Sequence, residues 1–160
     1  MFERFKKKKA DPQLYAPVNG QCISLEQVKD PVFQSKMMGE GTAFILEDDT
    51  IYAPCDGEIS MVAATKHAIG LRADNKAEVL IHVGLDTVNL NGKGFSIYKQ
   101  SGDKVKRGEA LLKVDRSLME SENIDLTTPM VVTNSSEFQL TIVDQGFKVA
   151  KGESVVIICE

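Results

Sequence analysis

His82 lies in the middle of an otherwise apolar run, Glu78-Val79-Leu80-Ile81-His82-Val83-Gly84, and the only other histidine in the 160-residue chain is His67. The midpoint between the two falls between Asp74 and Asn75, residue types that favour turns and tolerate a left-handed backbone. An antiparallel hairpin folded there sets residues equidistant from that midpoint opposite each other, so His67 faces His82. Directly opposed side chains on one sheet face stand roughly 4.5–5.5 Å apart at Cβ. Two adjacent imidazoles can carry phosphoryl chemistry, bind a metal or transfer a proton. A neutral ring nitrogen is a nucleophile able to accept a phosphoryl group, and a neighbouring histidine can hydrogen-bond the anion that results. Alternatively the pair could hold half of a zinc site whose other ligands are missing. Two surface histidines satisfied by water would be the plainer reading, but the cross-strand register and the absence of any other histidine favour function.

The strand that carries His82 sorts its neighbours by alternation. Val79, Ile81 and Val83 point into the core. Leu80, His82 and Gly84 point the other way, opposite Ile69, His67 and Thr65. The Thr65 hydroxyl and the backbone around Gly84 could supply further hydrogen-bond donors, and Gly84 leaves open space beside the histidines. A one-residue bulge would separate the pair onto opposite faces. A second segment, Asp30-Pro31-Val32-Phe33-Gln34-Ser35-Lys36-Met37-Met38-Gly39, sets Phe33, Met37 and Met38 at helical spacing, with Gly39 placed to end the turn. That pattern suits ordinary core packing, and equally an adaptable docking surface.

The rest of the chain reads as short apolar runs punctuated by Asn19-Gly20, Asp56-Gly57, Asn91-Gly92, Ser101-Gly102 and Gln145-Gly146. Such spacing predicts an all-β antiparallel sandwich or barrel. Helical signals are brief: a turn capped by Asp115 through Leu118 and Met119, and a single turn from Ser24 to Val28. Two internal echoes indicate a duplicated β-architecture. Ala16-Pro17-x-x-Gly20 recurs as Ala53-Pro54-x-x-Gly57, and Gly102-x-Lys104-Val105-x-x-Gly108-Glu109 recurs as Gly146-x-Lys148-Val149-x-x-Gly152-Glu153.

Hydrophobic residues at 42 % and charged residues at 26 % describe an ordinary soluble globular chain. The expected organisation is a basic flexible segment over 1–12 followed by a single domain over 13–160. Residues 1–9 carry five basic groups and one acid, whereas the whole chain has a net charge of −4. The acidic body argues against nucleic acid. The basic segment, with Met1, Phe2 and Phe5, could touch an anionic membrane surface or act only as a solubilising tail. No apolar run is long enough to span a bilayer, and no signal-peptide core is present. Three cysteines without CxxC spacing point to a reducing, cytoplasmic setting.

The strings Thr65-Lys66-His67-Ala68-Ile69-Gly70, Glu78-Val79-Leu80-Ile81-His82-Val83-Gly84-Leu85-Asp86-Thr87-Val88 and Asn91-Gly92-Lys93-Gly94-Phe95 closely resemble the glucose-type enzyme IIA family of the phosphoenolpyruvate-dependent sugar phosphotransferase system. The resemblance runs from about Tyr15 to Ile158 and includes Asp30-Pro31-Val32-Phe33 and Leu126-Thr127-Thr128-Pro129. It implies a sandwich with Greek-key and jelly-roll features. By resemblance, His82 is the phosphorylated histidine, taking phosphate at Nε2 from the phosphocarrier HPr and passing it to a cysteine of the IIB domain of a sugar permease. His67 matches the second histidine, which stabilises the phosphoryl group, and Thr65 matches the threonine that orients it. Asp30 and Asp86 match acids that face basic partner groups. Val32, Phe33, Met37, Met38 and Leu80 match the apolar docking surface. No cofactor is required, although the family can recruit zinc between its two histidines and a partner's carboxylate. Ala63, Ala64 and Arg72 depart from enteric relatives at the rim, where partner choice is decided. A non-catalytic regulator of carbon metabolism is the alternative function. A zinc hydrolase is a weaker one, since the chain lacks a third histidine.

Overall fold

The computed structural model describes residues 9–143 and 148–160. Residues 1–8, which hold most of the basic run with Met1, Phe2 and Phe5, and the Gln145-Gly146 turn with the start of the second Gly-x-Lys-Val echo lie outside the described residues. Short β-branched runs between turn residues produce strands almost throughout. In chain order they are β1 (Gln13–Tyr15), β2 (Gly20–Ser24), β3 (Glu40–Leu46), β4 (Thr50–Tyr52), β5 (Gly57–Val62), β6 (Ala68–Ala73), β7 (Glu78–His82), β8 (Phe95–Ile97), β9 (Lys104–Val105), β10 (Ala110–Val114), β11 (Thr128–Val132), β12 (Leu140–Ile142), β13 (Lys148–Val149) and β14 (Val155–Cys159).

All pairings are antiparallel, and the strand orders reveal the duplication that the echoes predicted. The large sheet runs β13-β2-β3-β11-β7-β6-β5-β9, flanked by two small sheets, β1-β14-β12 and β4-β10-β8. Exchanging β1–β3 with β4–β6 and β11–β14 with β7–β10 maps each order onto itself reversed or onto its partner. One seven-stranded unit, β4 to β10, is therefore inserted between the β3 and β11 strands of another. The approximate two-fold passes between β7 and β11, where Ile81 stands opposite Met130.

The echoed residues make reciprocal contacts across this two-fold. Tyr15 N donates to Pro54 O (2.8 Å) and Tyr52 N to Pro17 O (2.7 Å). Gly108 N donates to Ala53 O (2.8 Å) and Gly152 N to Ala16 O (2.9 Å). Arg107 lies over the Tyr15 ring at 4.0 Å, and Lys151 over the Tyr52 ring at 4.5 Å. The echoed glycines meet on the axis. Gly152 has φ 70, and a Cβ there would come within 3.1 Å of the Gly108 Cα, so a side chain would be both strained and crowded.

Between the sheets lies the main core, which includes Phe44, Ile51, Ile59, Leu71, Ile81 and Leu112. A second, smaller cluster forms on the outer face of the large sheet from Leu25, Val28, Phe33, Ala43, Leu85 and Val131. It exists because the β2–β3 connection is a long excursion, whereas its counterpart between β5 and β6 is a tight turn. In that excursion Ser24 and Gln27 form a capping box around a 3-10 turn, Leu25–Gln27. Helix α1 (Pro31–Gln34) follows, with the Asp30 side chain accepting from Val32 N. The helical spacing of Phe33, Met37 and Met38 does not extend the helix that far. Lys36 turns left-handed at φ 65, which releases both methionines into solvent and leaves Met37 78 % exposed. Helix α2 (Arg116–Ser121) begins at Asp115, which caps Leu118 N as expected.

Candidate active site

The histidines meet, but not by the register expected. Ala73 N donates to Ala77 O, and Lys76 takes the left-handed conformation at φ 76, so the turn holds three residues, Asp74-Asn75-Lys76. The Asn75 side chain is occupied elsewhere, accepting from Ala77 N and donating to Cys159 O. This one-residue shift puts His82 opposite Ala68, Leu80 opposite Gly70, and Ile69 opposite Ile81 in the core. An uninterrupted strand would then direct His67 away from His82. Instead β6 begins only at Ala68, because the chain turns at Ala63–Lys66, with Lys66 N bonded to Ala63 O and Lys66 at φ 63. Released from strand alternation, His67 holds Val83 N through its carbonyl at 2.7 Å and swings its ring back over His82. The ring centroids are 4.8 Å apart, nearly perpendicular at 79°.

Hydrogen bonds fix how the rings can act. Nδ1 of His82 lies 2.8 Å from the Gly84 carbonyl. A carbonyl only accepts, so Nδ1 carries the proton and Nε2 keeps its lone pair. Nδ1 of His67 lies 2.7 Å from the Thr65 hydroxyl. If that hydroxyl donates, Nε2 of His67 is an N–H donor directed away from Thr65. Gly84 is not open space: with φ 79, a Cβ would meet Thr87 Cγ2 at 2.6 Å. Its contribution is a left-handed turn that presents its carbonyl to His82.

Both rings are held below the usual histidine range of about 6.5. Burial lowers His67, which is only 8 % exposed, and a charge on the adjacent His82 lowers it further. Burial also lowers His82, while the Gly84 carbonyl, Asp30 and Asp86 draw it partly back up. Both are therefore neutral at neutral pH, as a nucleophile and a hydrogen-bond donor require. A reaction that uses the neutral His82 ring as nucleophile should have a rate that is flat above pH 7 and falls only as pH drops below about 6.5. Stability should move with it. Between the lowered folded values and the ordinary value the unfolded chain binds more protons, so the melting temperature should decline as pH falls through that window, and less so in a His67→Gln variant.

The other expected site residues divide into two groups. Phe33 is 5 % exposed, and its ring lies tilted at 56° to His82 with centroids 5.0 Å apart, so it forms an apolar wall beside that imidazole rather than an exposed docking contact. Asp30 caps α1, and Asp86 is exposed at a left-handed φ of 58; both lie close enough to act on the charge of His82. Val32, Met37 and Met38 are exposed, and Leu80 is half-buried on the outer face. Met61 and Val88 were not legible as part of this surface. Met61 follows a bulge in β5, pairs with Gly70 and lies across it on the same face as Leu80. Val88 is exposed on the 3-10 turn Thr87–Leu90. Among the described residues no three histidine, cysteine, aspartate or glutamate side chains gather to hold a metal. The two imidazoles could supply only two of the four ligands that zinc takes.

The duplication shows why the site sits here. His82, opposite Ala68 on β6, occupies the position that Val131, opposite Gly41 on β3, holds in the other unit. Val131 is buried under the β2–β3 excursion, whereas the short β5–β6 turn leaves His82 half-exposed.

Known proteins resemble this chain over nearly all its length. Residues 12–138 match the family model described as phosphoenolpyruvate-dependent sugar phosphotransferase system, EIIA 1. A glucose-specific EIIA component of Staphylococcus epidermidis is 37 % identical over 98 % of this chain and 95 % of its own length. A glucose-specific EIICBA component of Staphylococcus saprophyticus is 43 % identical over 84 % of this chain, which corresponds to 20 % of that larger protein. The solved structure of glucose permease IIA from Mycoplasma capricolum superimposes with a TM-score of 0.81 at 33 % identity, covering 91 % of this chain and 94 % of its own.

Proposed function

Since the chain belongs to the EIIA 1 family of the phosphoenolpyruvate-dependent sugar phosphotransferase system, we propose that His82 is its phosphoryl carrier, loaded by phospho-HPr and discharged onto a cysteine in the IIB domain of a sugar permease. The protein is a phosphotransferase component that works through a phosphohistidine in sugar uptake. Relatives in which the same domain is fused to other EII domains support a permease as its partner. The observation that carries the assignment to His82 is its hydrogen bond to Gly84 O, which leaves Nε2 unprotonated.

In loading, the Nε2 lone pair attacks phosphorus in line while the bond to the donor breaks and its electron pair leaves with the donor. In discharge, a thiolate of the acceptor attacks from the open side, the P–N bond breaks, and the lone pair returns to Nε2. His67, oriented by Thr65, donates a hydrogen bond to the phosphoryl oxygens. The exposed Val32, Met38, Met61 and Val88 offer apolar surface that a partner can cover, which would exclude water from the phosphohistidine. Asp30 and Asp86 supply negative charge for basic groups on that partner. His67 and His82 would hold a zinc ion only with further ligands from a partner, and a metal held there would compete with phosphorylation.

We place this relay in the cytoplasm. Cys22, Cys55 and Cys159 are all buried, and Cys55 and Cys159 form no disulfide, as suits a reducing compartment. Among the described residues no helix is long and apolar enough to cross a membrane. The test is stepwise transfer of 32P from phosphoenolpyruvate through enzyme I and HPr to this protein, and then to a purified IIB domain. Label that reaches the protein and moves on supports the reading; label that stops at HPr contradicts it.

A further inference from the structure

The turn that follows His82 is pinned at successive peptide units. Val83 N donates to the His67 carbonyl at 2.7 Å, the Val83 carbonyl accepts from Thr87 Oγ1 at 2.6 Å, and Leu85 N donates to the Asp125 carbonyl at 2.9 Å. The Gly84 carbonyl belongs to the same peptide plane as the Leu85 N–H, and it is the group that takes the Nδ1 proton of His82. Only the Thr87 pin is a side chain, so it alone can be removed without altering the backbone. Thr87 is fully buried, and its methyl rests against Gly84. Between them in the turn, Asp86 is left-handed at φ 58, a conformation that strains a non-glycine residue. A turn holding that strain relaxes when a pin is lost.

We propose that Thr87 is a positioning residue for phosphoryl transfer: its hydroxyl holds the Val83 carbonyl, and through it the Gly84 turn that keeps the proton on Nδ1 and the lone pair on Nε2 of His82. This rests on the reading of His82 as the phosphoryl acceptor. Without the hydroxyl the buried Val83 carbonyl has lost its side-chain partner, and the backbone must rotate to find another. The Gly84 carbonyl then leaves Nδ1. In an imidazole without that partner the two neutral tautomers compete, and the lone pair spends part of its time on the nitrogen that faces the protein rather than the phosphoryl donor.

Thr87→Val exchanges the hydroxyl for a methyl at nearly constant volume. In 15N spectra of the histidine rings, the wild type should show a single Nδ1–H tautomer at His82, and Thr87→Val should show averaged Nδ1 and Nε2 signals. Its rate of phosphoryl acceptance should fall about tenfold, the effect of losing one hydrogen bond. Thr87→Ser keeps the hydroxyl and should restore both the spectrum and the rate to within about twofold of wild type. Thr87→Ala, judged by amide dispersion in the same spectra, serves if the valine variant does not fold. A wild-type tautomer in the valine or alanine variant overturns the proposal, whatever the melting temperature, and so does an unchanged rate. Failure of the wild type to accept phosphate would instead defeat the underlying reading of His82.

Discussion

Replacing His82 with glutamine should abolish phosphoryl acceptance, lowering the rate by at least about 10⁴-fold. The glutamine amide nitrogen falls at the position of Nε2 rather than Nδ1, so the Gly84 carbonyl loses this partner while the turn keeps its other hydrogen bonds. The amide offers no basic lone pair at the position of Nε2, and nothing nearby can replace it. His67 is 8 % exposed, and its Nδ1 is already engaged by Thr65. The substitution lies on the outer face, away from Val79, Ile81 and Val83 in the main core. The melting temperature should therefore move by only a few degrees, the range of a change of about 1 kcal/mol or less. Filter-bound 32P after incubation with phosphoenolpyruvate, enzyme I and HPr measures the result. Retention of even a tenth of the wild-type rate would place the nucleophile elsewhere.

Replacing His67 with glutamine should split the reaction. Acceptance requires the free lone pair on Nε2 of His82, which the Gly84 carbonyl secures independently of His67, so loading should fall by no more than about tenfold. Discharge also needs a donor that stabilises the charge on the phosphoryl group as it leaves His82. The His67 ring is placed for that, edge-on to His82 and held by Thr65. Losing one such donor costs roughly 10²–10³-fold, so delivery to a IIB domain should slow by that amount while the phosphorylated variant accumulates. Single-turnover transfer from the isolated phosphoprotein separates the two steps. Equal loss in loading and discharge would show that the two histidines act as one unit.

The pair itself was legible from residue type and position, but its geometry was not. Midpoint symmetry assumed a two-residue turn at Asp74-Asn75, whereas Lys76 adopts the left-handed position that glycine or asparagine usually takes. That shifted the ladder by one and moved Ile69 into the core. A second departure from regularity, the early end of β6 at the Lys66 turn, brought His67 back. Two local deviations offset each other, and neither has a residue signature strong enough to be read from the chain.

Long-range order was more legible than local order in the echoes. The repeated Ala-Pro-x-x-Gly and Lys-Val-x-x-Gly strings correspond to contacts made in duplicate about a two-fold, because the same turn chemistry was needed twice. The sequence does not disclose which unit is covered. That depends on how the residues between Ser24 and Glu40 pack on the outer face, where Phe33 turns inward against His82 while Met37 turns out. An apolar residue at a helical spacing looks the same in either role. Met61 and Val88 were missed for the same reason, since each is an apolar residue that a bulge or a short 3-10 turn leaves in solvent.

The site depends on a proton held at Nδ1 of His82 and a lone pair at Nε2. Its most direct test is to identify the phosphorylated atom by 31P and 15N spectra of protein loaded from phosphoenolpyruvate through enzyme I and HPr. The prediction is a single acid-labile phosphoryl group on Nε2 of His82, with the Nδ1 proton still bonded to Gly84. A phosphoryl group on Nδ1, or on His67, would contradict the account.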